Sequence, residues 1–174
     1  MTARIRVSMW VLLSLAPGCA LAAEPDVLSG RYGHDASEPA YQAVWEVSRQ
    51  DQGWLARSLS DGAASTAYRL SPAGRRAFWE KMYWPSQTAD TADCVTWGEA
   101  ARSLQDMLVD LLREPQADAR PKTGADVVGT VVVCHVPAEA RKEIGWLQDN
   151  REDWFYYDLL TGVIEVRRLP ADEH

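Results

Sequence analysis

The cysteines Cys94 and Cys134 have the widest range of possible chemistry in this chain. His135 follows Cys134 directly, and a cysteine with a histidine can form a nucleophile and its base. On a strand, however, neighbouring side chains point to opposite faces, so these two groups would not share a proton, and nothing in the sequence requires His34 to approach instead. We therefore predict a Cys94–Cys134 disulfide, with two unpaired buried thiols as the alternative. Its loop of about 40 residues corresponds to roughly 4 kcal/mol in the chain-entropy model.

Metal and cofactor motifs are missing from the sequence. Neither HExxH nor paired CxxC spacing occurs, and the nucleophile motif Gly-x-Ser-x-Gly and the glycine-rich phosphate loops are absent. The acidic stretch 149–153 includes Arg151 and lacks the glycine of a calcium loop, so it is typical of a solvated turn, as are Asp90 and Asp93. We expect no metal and no cofactor, and favour a non-catalytic protein. An unrecognised hydrolase stays open, because an acidic chain offers many carboxylate pairs.

Aromatic residues are the unusual feature of this chain. It has eight tryptophans, seven of them beyond residue 23. On a strand, Trp154 and Tyr156 would point one way and Phe155 and Tyr157 the other, so one pair needs a second cover or is exposed. The alternative is that large rings fill the core of a small domain. We predict an aromatic patch that binds protein or glycan, made of Trp79, Tyr83, Trp84, Trp154 and Tyr156.

The N-terminal segment is typical of a secretory signal peptide. Arg4 and Arg6 precede the apolar run Val7–Leu15, which is too short to span a bilayer, and small residues follow it. We predict cleavage after Ala22 or Ala23. The chain would then consist of a signal peptide over residues 1–23 and one exported domain over residues 24–174, in the periplasm or secreted.

A second form of export depends on Cys19. The preceding residues Leu15-Ala16-Pro17-Gly18 resemble the lipobox of bacterial lipoproteins, although the leucine lies four residues before the cysteine and not three. The resemblance implies lipidation of Cys19. Cleavage at Ala22 or Ala23 would instead remove Cys19 and leave an even number of cysteines.

The charge balance excludes two classes of partner. The whole chain has a net charge of −7, and removal of residues 1–23 leaves 16 basic against 25 acidic residues, or −9. With three lysines in all, it has no basic footprint for nucleic acid or anionic lipid.

The repeating patterns predict a mostly antiparallel sheet. Alternation over Tyr41–Arg49 and Trp54–Ser60 indicates a hairpin, and Trp154–Leu160 with Val163–Leu169 indicates another. A third short strand is expected over Thr66–Leu70. The apolar, β-branched run Val127–Val136 predicts a central strand buried on both faces.

Three helices complete the predicted fold. Ala100–Glu114 has one apolar stripe at helical spacing, ended by Pro115. Ser71 and Pro72 are the N-cap and first residue of a short helix that ends before Pro85. Another short helix runs from Pro137 to Leu147, with Ala140, Ile144 and Leu147 inward. We predict an α+β fold in which the antiparallel sheet packs against the long helix, and the disulfide ties this helical layer to the innermost strands.

One short stretch resembles a known family. Residues 74–81, Gly-Arg-Arg-Ala-Phe-Trp-Glu-Lys, are similar to a Gly…Phe-Trp-x-Lys strand of bacterial C-type lysozyme inhibitors. The resemblance covers eight residues and implies that Phe78 lies on a strand, whereas its position after Ser71-Pro72 predicts a helix. The serine-glycine-x-x-tyrosine pattern of that family is not reproduced at Ser65–Tyr68. We therefore do not assign the chain to it.

Size, export, disulfide, acidity and aromatic surplus together favour a non-catalytic binding protein of the bacterial envelope. We expect it to inhibit, or give immunity against, an envelope-acting hydrolase or toxin, and a basic partner would be steered to its acidic surface. The alternative is a glycan-binding or envelope-maintenance module, in which exposed aromatic rings stack on sugars.

Overall fold

The computed structural model describes residues 26–33, 43–100 and 122–169. In these ranges each of eight strands pairs antiparallel with the next, and the first also pairs with the last, so the sheet closes into a barrel. The strands are β1 Gly30–Gly33, β2 Ala43–Gln50, β3 Gly53–Ser58, β4 Ala64–Arg69, β5 Asp93–Ala100, β6 Gly129–His135, β7 Trp154–Asp158 and β8 Gly162–Leu169. The described helices are α1 Pro72–Lys81, a 3-10 helix Ser86–Asp90 and α2 Ala138–Arg141.

The predicted fold class is wrong, because the sheet is a closed barrel and not a layer packed against one long helix. Ala100, the first residue of the predicted helix over 100–114, is the last residue of β5. Residues 101–114 lie outside the described residues. Closure depends on pairing between β1 and β8, with Arg31 opposite Leu169. Such long-range pairing leaves no local pattern in either strand, so alternation alone cannot distinguish an open sheet from a barrel.

Helix α1 begins where its capping residues predict. Ser71 is the N-cap, its hydroxyl accepts a hydrogen bond from the Gly74 amide at 3.1 Å, and Pro72 opens the helix. Gly74 is required by packing, since a Cβ there would lie 2.3 Å from the carbonyl oxygen of Ala125. The strand that the lysozyme-inhibitor resemblance implies for this stretch is therefore wrong. The other short helix, predicted from Pro137 to Leu147, is shorter than expected: α2 ends at Arg141, and turns follow it.

Two hydrophobic cores lie on the two faces of the same strands. The inner core fills the barrel, and it includes Val133 and Tyr156. The outer core covers the outside of β5, β6 and β7, and it includes Val132 and Phe155. We call the cover the helical layer, residues 70–92 and 136–147, which includes α1, the 3-10 helix and α2. The prediction that β6 is buried on both faces is thus confirmed.

The predicted disulfide joins Cys94 to Cys134. The two residues lie directly opposite each other on β5 and β6, and both are fully buried in the outer core. The bond therefore links two neighbouring strands beneath the helical layer, and does not tie that layer to the sheet as expected. None of the helices in the described ranges combines the length and apolarity needed to cross a bilayer.

Candidate functional site

Two residues of the predicted aromatic patch belong to the outer core. Trp79 is fully buried, and its indole Nε1 donates a hydrogen bond to the hydroxyl of Thr88 at 2.8 Å. Trp84 is also buried, with its ring centroid 5.3 Å from that of Trp79 in an edge-to-face arrangement. Phe78 packs against both rings. These side chains hold the helical layer on the barrel, so their rings are not available to a partner.

Two more of the predicted residues belong to the barrel. Trp154 is half-buried, and Tyr156 is buried in the inner core. Burial, together with hydrogen bonding to Asp158, raises the pKa of Tyr156 to about 12. The predicted alternation along this strand is correct, because Phe155 and Tyr157 point to the outer core instead. The structure therefore divides the five residues between two cores and does not bring them together as one surface.

Tyr83 is the one residue of the predicted patch that is largely exposed, with 96% of its surface accessible. It follows the last turn of α1, where its amide donates to the carbonyl of Glu80 at 3.1 Å. The amide of Trp84 donates to the carbonyl of Trp79 at 3.0 Å. These two bonds and the contact between the two tryptophan rings form a Schellman motif, which ends a helix by turning one residue into the left-handed conformation.

The residue in the left-handed position is Tyr83, with φ of 56°. Glycine usually occupies this position, because a side chain there brings Cβ against the following carbonyl at a cost of about 1–2 kcal/mol. Among the described residues, Tyr83 is the only one other than glycine with positive φ. Its ring is almost entirely accessible, so little burial offsets this cost. The aromatic ring of Tyr83 is thus exposed on a residue whose left-handed backbone conformation favours glycine.

A second exposed aromatic, Trp146, lies elsewhere in the helical layer with 78% of its surface accessible. Its neighbours Ile144 and Leu147 are buried in the outer core. The predicted patch does not include Trp146. The sequence nevertheless indicates its exposure, because the predicted inward face of Ala140, Ile144 and Leu147 leaves Trp146 on the outward side.

Polar contacts join the parts of the helical layer that carry these two rings. The side-chain amide of Gln87 donates to the carboxylate of Glu143 at 3.2 Å, linking the 3-10 helix to the segment after α2. The ammonium of Lys81, at the end of α1, lies 5.4 Å from the centre of the Tyr157 ring. Tyr83 and Trp146 are therefore carried by elements fixed to the barrel and to each other. We call these two residues the aromatic pair.

The two cysteines and His135, which were considered for catalysis, take part in structural contacts. Both cysteines of the described chain are consumed by the disulfide, so neither is a nucleophile. His135 lies against the Trp154 ring at 5.1 Å between centroids, and His34 lies outside the described residues. Burial lowers the pKa of His135, as do Arg168 and Arg141, while the carboxylates of Asp153 and Asp93 act in the opposite direction.

Three of the acidic residues considered in the sequence form ion pairs. Asp93 forms a two-point ion pair with Arg69, and Asp90 pairs with Arg76 at 2.9 Å. Asp153 accepts from Arg141 at 2.6 Å. In the described ranges, no group of three or more histidine, cysteine or carboxylate side chains is arranged to hold a metal ion.

Comparison with known proteins adds no relative. No protein-family model matches the chain, and no significant match is found among curated proteins or solved structures.

Proposed function

We propose that this chain is a non-catalytic binding protein of the bacterial envelope that recognises a protein partner through the aromatic pair. The observation that carries the proposal is Tyr83, whose ring is exposed from a position where glycine would be more stable. An exposed residue held against its conformational preference is a reason to look for function at that place. Tyrosine and tryptophan are also the residue types most enriched at binding hot spots.

Other properties of the chain support the class of partner. The disulfide fits an oxidising compartment such as the periplasm, in agreement with the predicted signal peptide. The net charge, −7 for the whole chain and −9 (16 basic against 25 acidic residues) without residues 1–23, would speed association with a cationic partner. Wall-degrading hydrolases and toxins of the envelope are partners of that kind, so we propose an inhibitor or an immunity protein.

The proposal is tested by binding of purified chain to envelope extract and by inhibition of sacculus hydrolysis. Tyr83→Gly and Trp146→Ala should each weaken capture of the partner by about 30-fold, the effect of a hot spot of about 2 kcal/mol. Inhibition of hydrolysis should weaken in parallel. The Tyr83→Gly variant removes the ring without adding backbone strain, so lost binding would not reflect unfolding.

Leu160→Ala is the matched control, because Leu160 is also 96% exposed but belongs to the turn between β7 and β8. This variant should bind like the unchanged chain. Equal capture by all three variants, or no retained partner in any fraction, would contradict the proposal. Sedimentation of the chain with sacculi free of protein, abolished by Trp146→Ala, would favour the glycan-binding alternative.

A further inference from the structure

The four residues before the first strand are held at one end of the barrel by side chains. The carbonyl of Asp26 accepts from Arg168 Nη2 at 3.2 Å, and the carbonyl of Ser29 accepts from Arg168 Nε at 2.8 Å. Between them, the carbonyl of Val27 accepts from Trp154 Nε1 at 3.0 Å, and that of Leu28 accepts from the Tyr32 hydroxyl. Every main-chain carbonyl of Asp26–Ser29 is therefore bound by a side chain of the barrel.

The side chains of this segment complete the fit. Leu28 enters the inner core and retains only 1% of its accessible surface, and Val27 packs against the same core. The carboxylate of Asp26 accepts from the amides of Leu28 at 3.0 Å and Ser29 at 2.9 Å, which fixes the turn. The segment thus offers one apolar anchor on a turn closed by its own carboxylate.

The donors come from three strands and are positioned by other contacts. Tyr32 lies on β1, Trp154 on β7 and Arg168 on β8. The guanidinium of Arg168 lies 5.6 Å from the centre of the Trp154 ring, and His135 packs against that ring as well. Two of the three donors are therefore held in place by contacts that do not involve the segment.

Most hydrogen bonds of a folded chain join backbone to backbone, so four successive carbonyls bound by side chains are unusual within one chain. Recognition of a main chain through its polar groups, with a pocket for an anchoring side chain, is how proteins bind peptides. We propose that this end of the barrel is a peptide-binding site, which Asp26–Ser29 occupies as an intramolecular ligand. The ligand class is a turn-forming peptide with an aspartate two residues before a leucine. This site does not involve Tyr83 or Trp146, so it stands independently of the proposed function.

The test uses the full chain with its own segment weakened. In Leu28→Asp the anchor is charged, so the segment should leave its pocket and the melting temperature should fall by about 5–10 °C. A peptide with the sequence of residues 24–30, Glu-Pro-Asp-Val-Leu-Ser-Gly, is then added in trans. At about 1 mM peptide we expect binding with Kd below about 0.1 mM, which would restore roughly half of the lost melting temperature. The Trp154 indole N–H, which donates to Val27, should regain protection from hydrogen exchange.

Three controls make the result specific. The same peptide with aspartate at the leucine position should neither bind nor restore protection. The unchanged chain should bind the peptide at least tenfold more weakly, because its own segment competes. Leu160→Asp, the same change at an exposed position, should keep the melting temperature and gain nothing from peptide.

A folded Leu28→Asp chain that shows no Trp154 protection and no stabilisation at about 1 mM peptide would overturn the proposal. If Leu28→Asp does not fold even with peptide, Leu28→Ala, which removes the anchor without adding charge, is measured in the same way. Failure of Leu28→Ala to respond to the peptide would overturn the proposal equally. Loss of partner capture by Tyr83→Gly with no peptide effect would separate the two proposals.

Discussion

Tyr83 and Leu160 are equally exposed, yet their backbone conformations differ. Leu160 lies in the turn between β7 and β8, where its amide and that of Thr161 donate to the Asp158 carboxylate. Its backbone adopts no left-handed conformation, whereas Tyr83 ends α1 in one. A hydrophobic residue exposed singly on a surface is ordinary. An aromatic ring exposed at a position suited to glycine is not, and this difference separates a candidate binding residue from a neutral one.

The largest effect should come from the support beneath Tyr83. Phe78 is fully buried and its ring contacts those of Trp79, Trp84 and Phe155. Phe78→Ala should lower the free energy of unfolding by about 3–5 kcal/mol, because it opens a cavity between the helical layer and the barrel. Urea unfolding measures it. If the free energy of unfolding fell by less than about 1 kcal/mol, the packing around Phe78 would not hold the helical layer rigidly beneath Tyr83.

Removal of the disulfide should have the next largest effect. Cys94 and Cys134 lie in the same outer core and close a loop of 40 residues. Replacing both by alanine should lower the free energy of unfolding by about 2–5 kcal/mol, through the entropy of the unfolded chain and two lost buried side chains. Thermal melts of oxidised, reduced and double-variant protein check this. Identical melts for all three would show that the bond adds nothing to stability.

Two separate glycine variants, Tyr83→Gly and Leu160→Gly, test the difference between the two exposed residues. In Tyr83→Gly, relief of about 1–2 kcal/mol of backbone strain exceeds the roughly 0.4–1 kcal/mol that glycine adds to the unfolded-state entropy. This variant should therefore be more stable than the unchanged chain by up to about 1.5 kcal/mol. Leu160→Gly has no strain to relieve and should be destabilised by up to about 1 kcal/mol. A stability loss in Tyr83→Gly as large as that in Leu160→Gly would remove the distinction between the two residues.

The smallest expected effect is on the pH dependence of stability, through His135, which packs against the Trp154 ring. The pKa of His135 is lowered from 6.5 by burial, so the unfolded state binds a proton at higher pH than the folded state does. The stability contributed by His135 is present above pH 6.5 and is lost as the pH falls through that value toward the folded pKa. His135→Gln should therefore lose less stability than the unchanged chain between pH 7.5 and 5.5, as measured by urea unfolding. Equal losses in both proteins would contradict this assignment.

Local features of the fold were predictable because they depend on neighbouring residues. The capping pair Ser71-Pro72 places the start of α1, and the apolar run in β6 predicts burial on both faces. The aromatic surplus is explained by the same strands, since Trp154 and Tyr156 face the inner core while Phe155 and Tyr157 face the outer one.

Features set by distant contacts or by exceptions to local rules were not predictable. Strand β1 has four residues, two of them glycines, and its pairing with β8 joins opposite ends of the sequence. Strand β5 contains an irregularity between Trp97 and Ala100, which interrupts the alternation that would indicate it. The sequence indicates Tyr83 as a candidate residue through its aromatic ring alone. Its left-handed backbone has no signal in the sequence, because the glycine that usually marks such a position is absent.

The most direct test measures partner affinity and unfolding free energy of Tyr83→Gly on the same preparation. We expect that affinity for the proposed envelope partner falls by about 30-fold while stability is equal to or above that of the unchanged chain. Unchanged affinity in a folded Tyr83→Gly variant would contradict it, since the ring would then occupy a strained position without serving recognition.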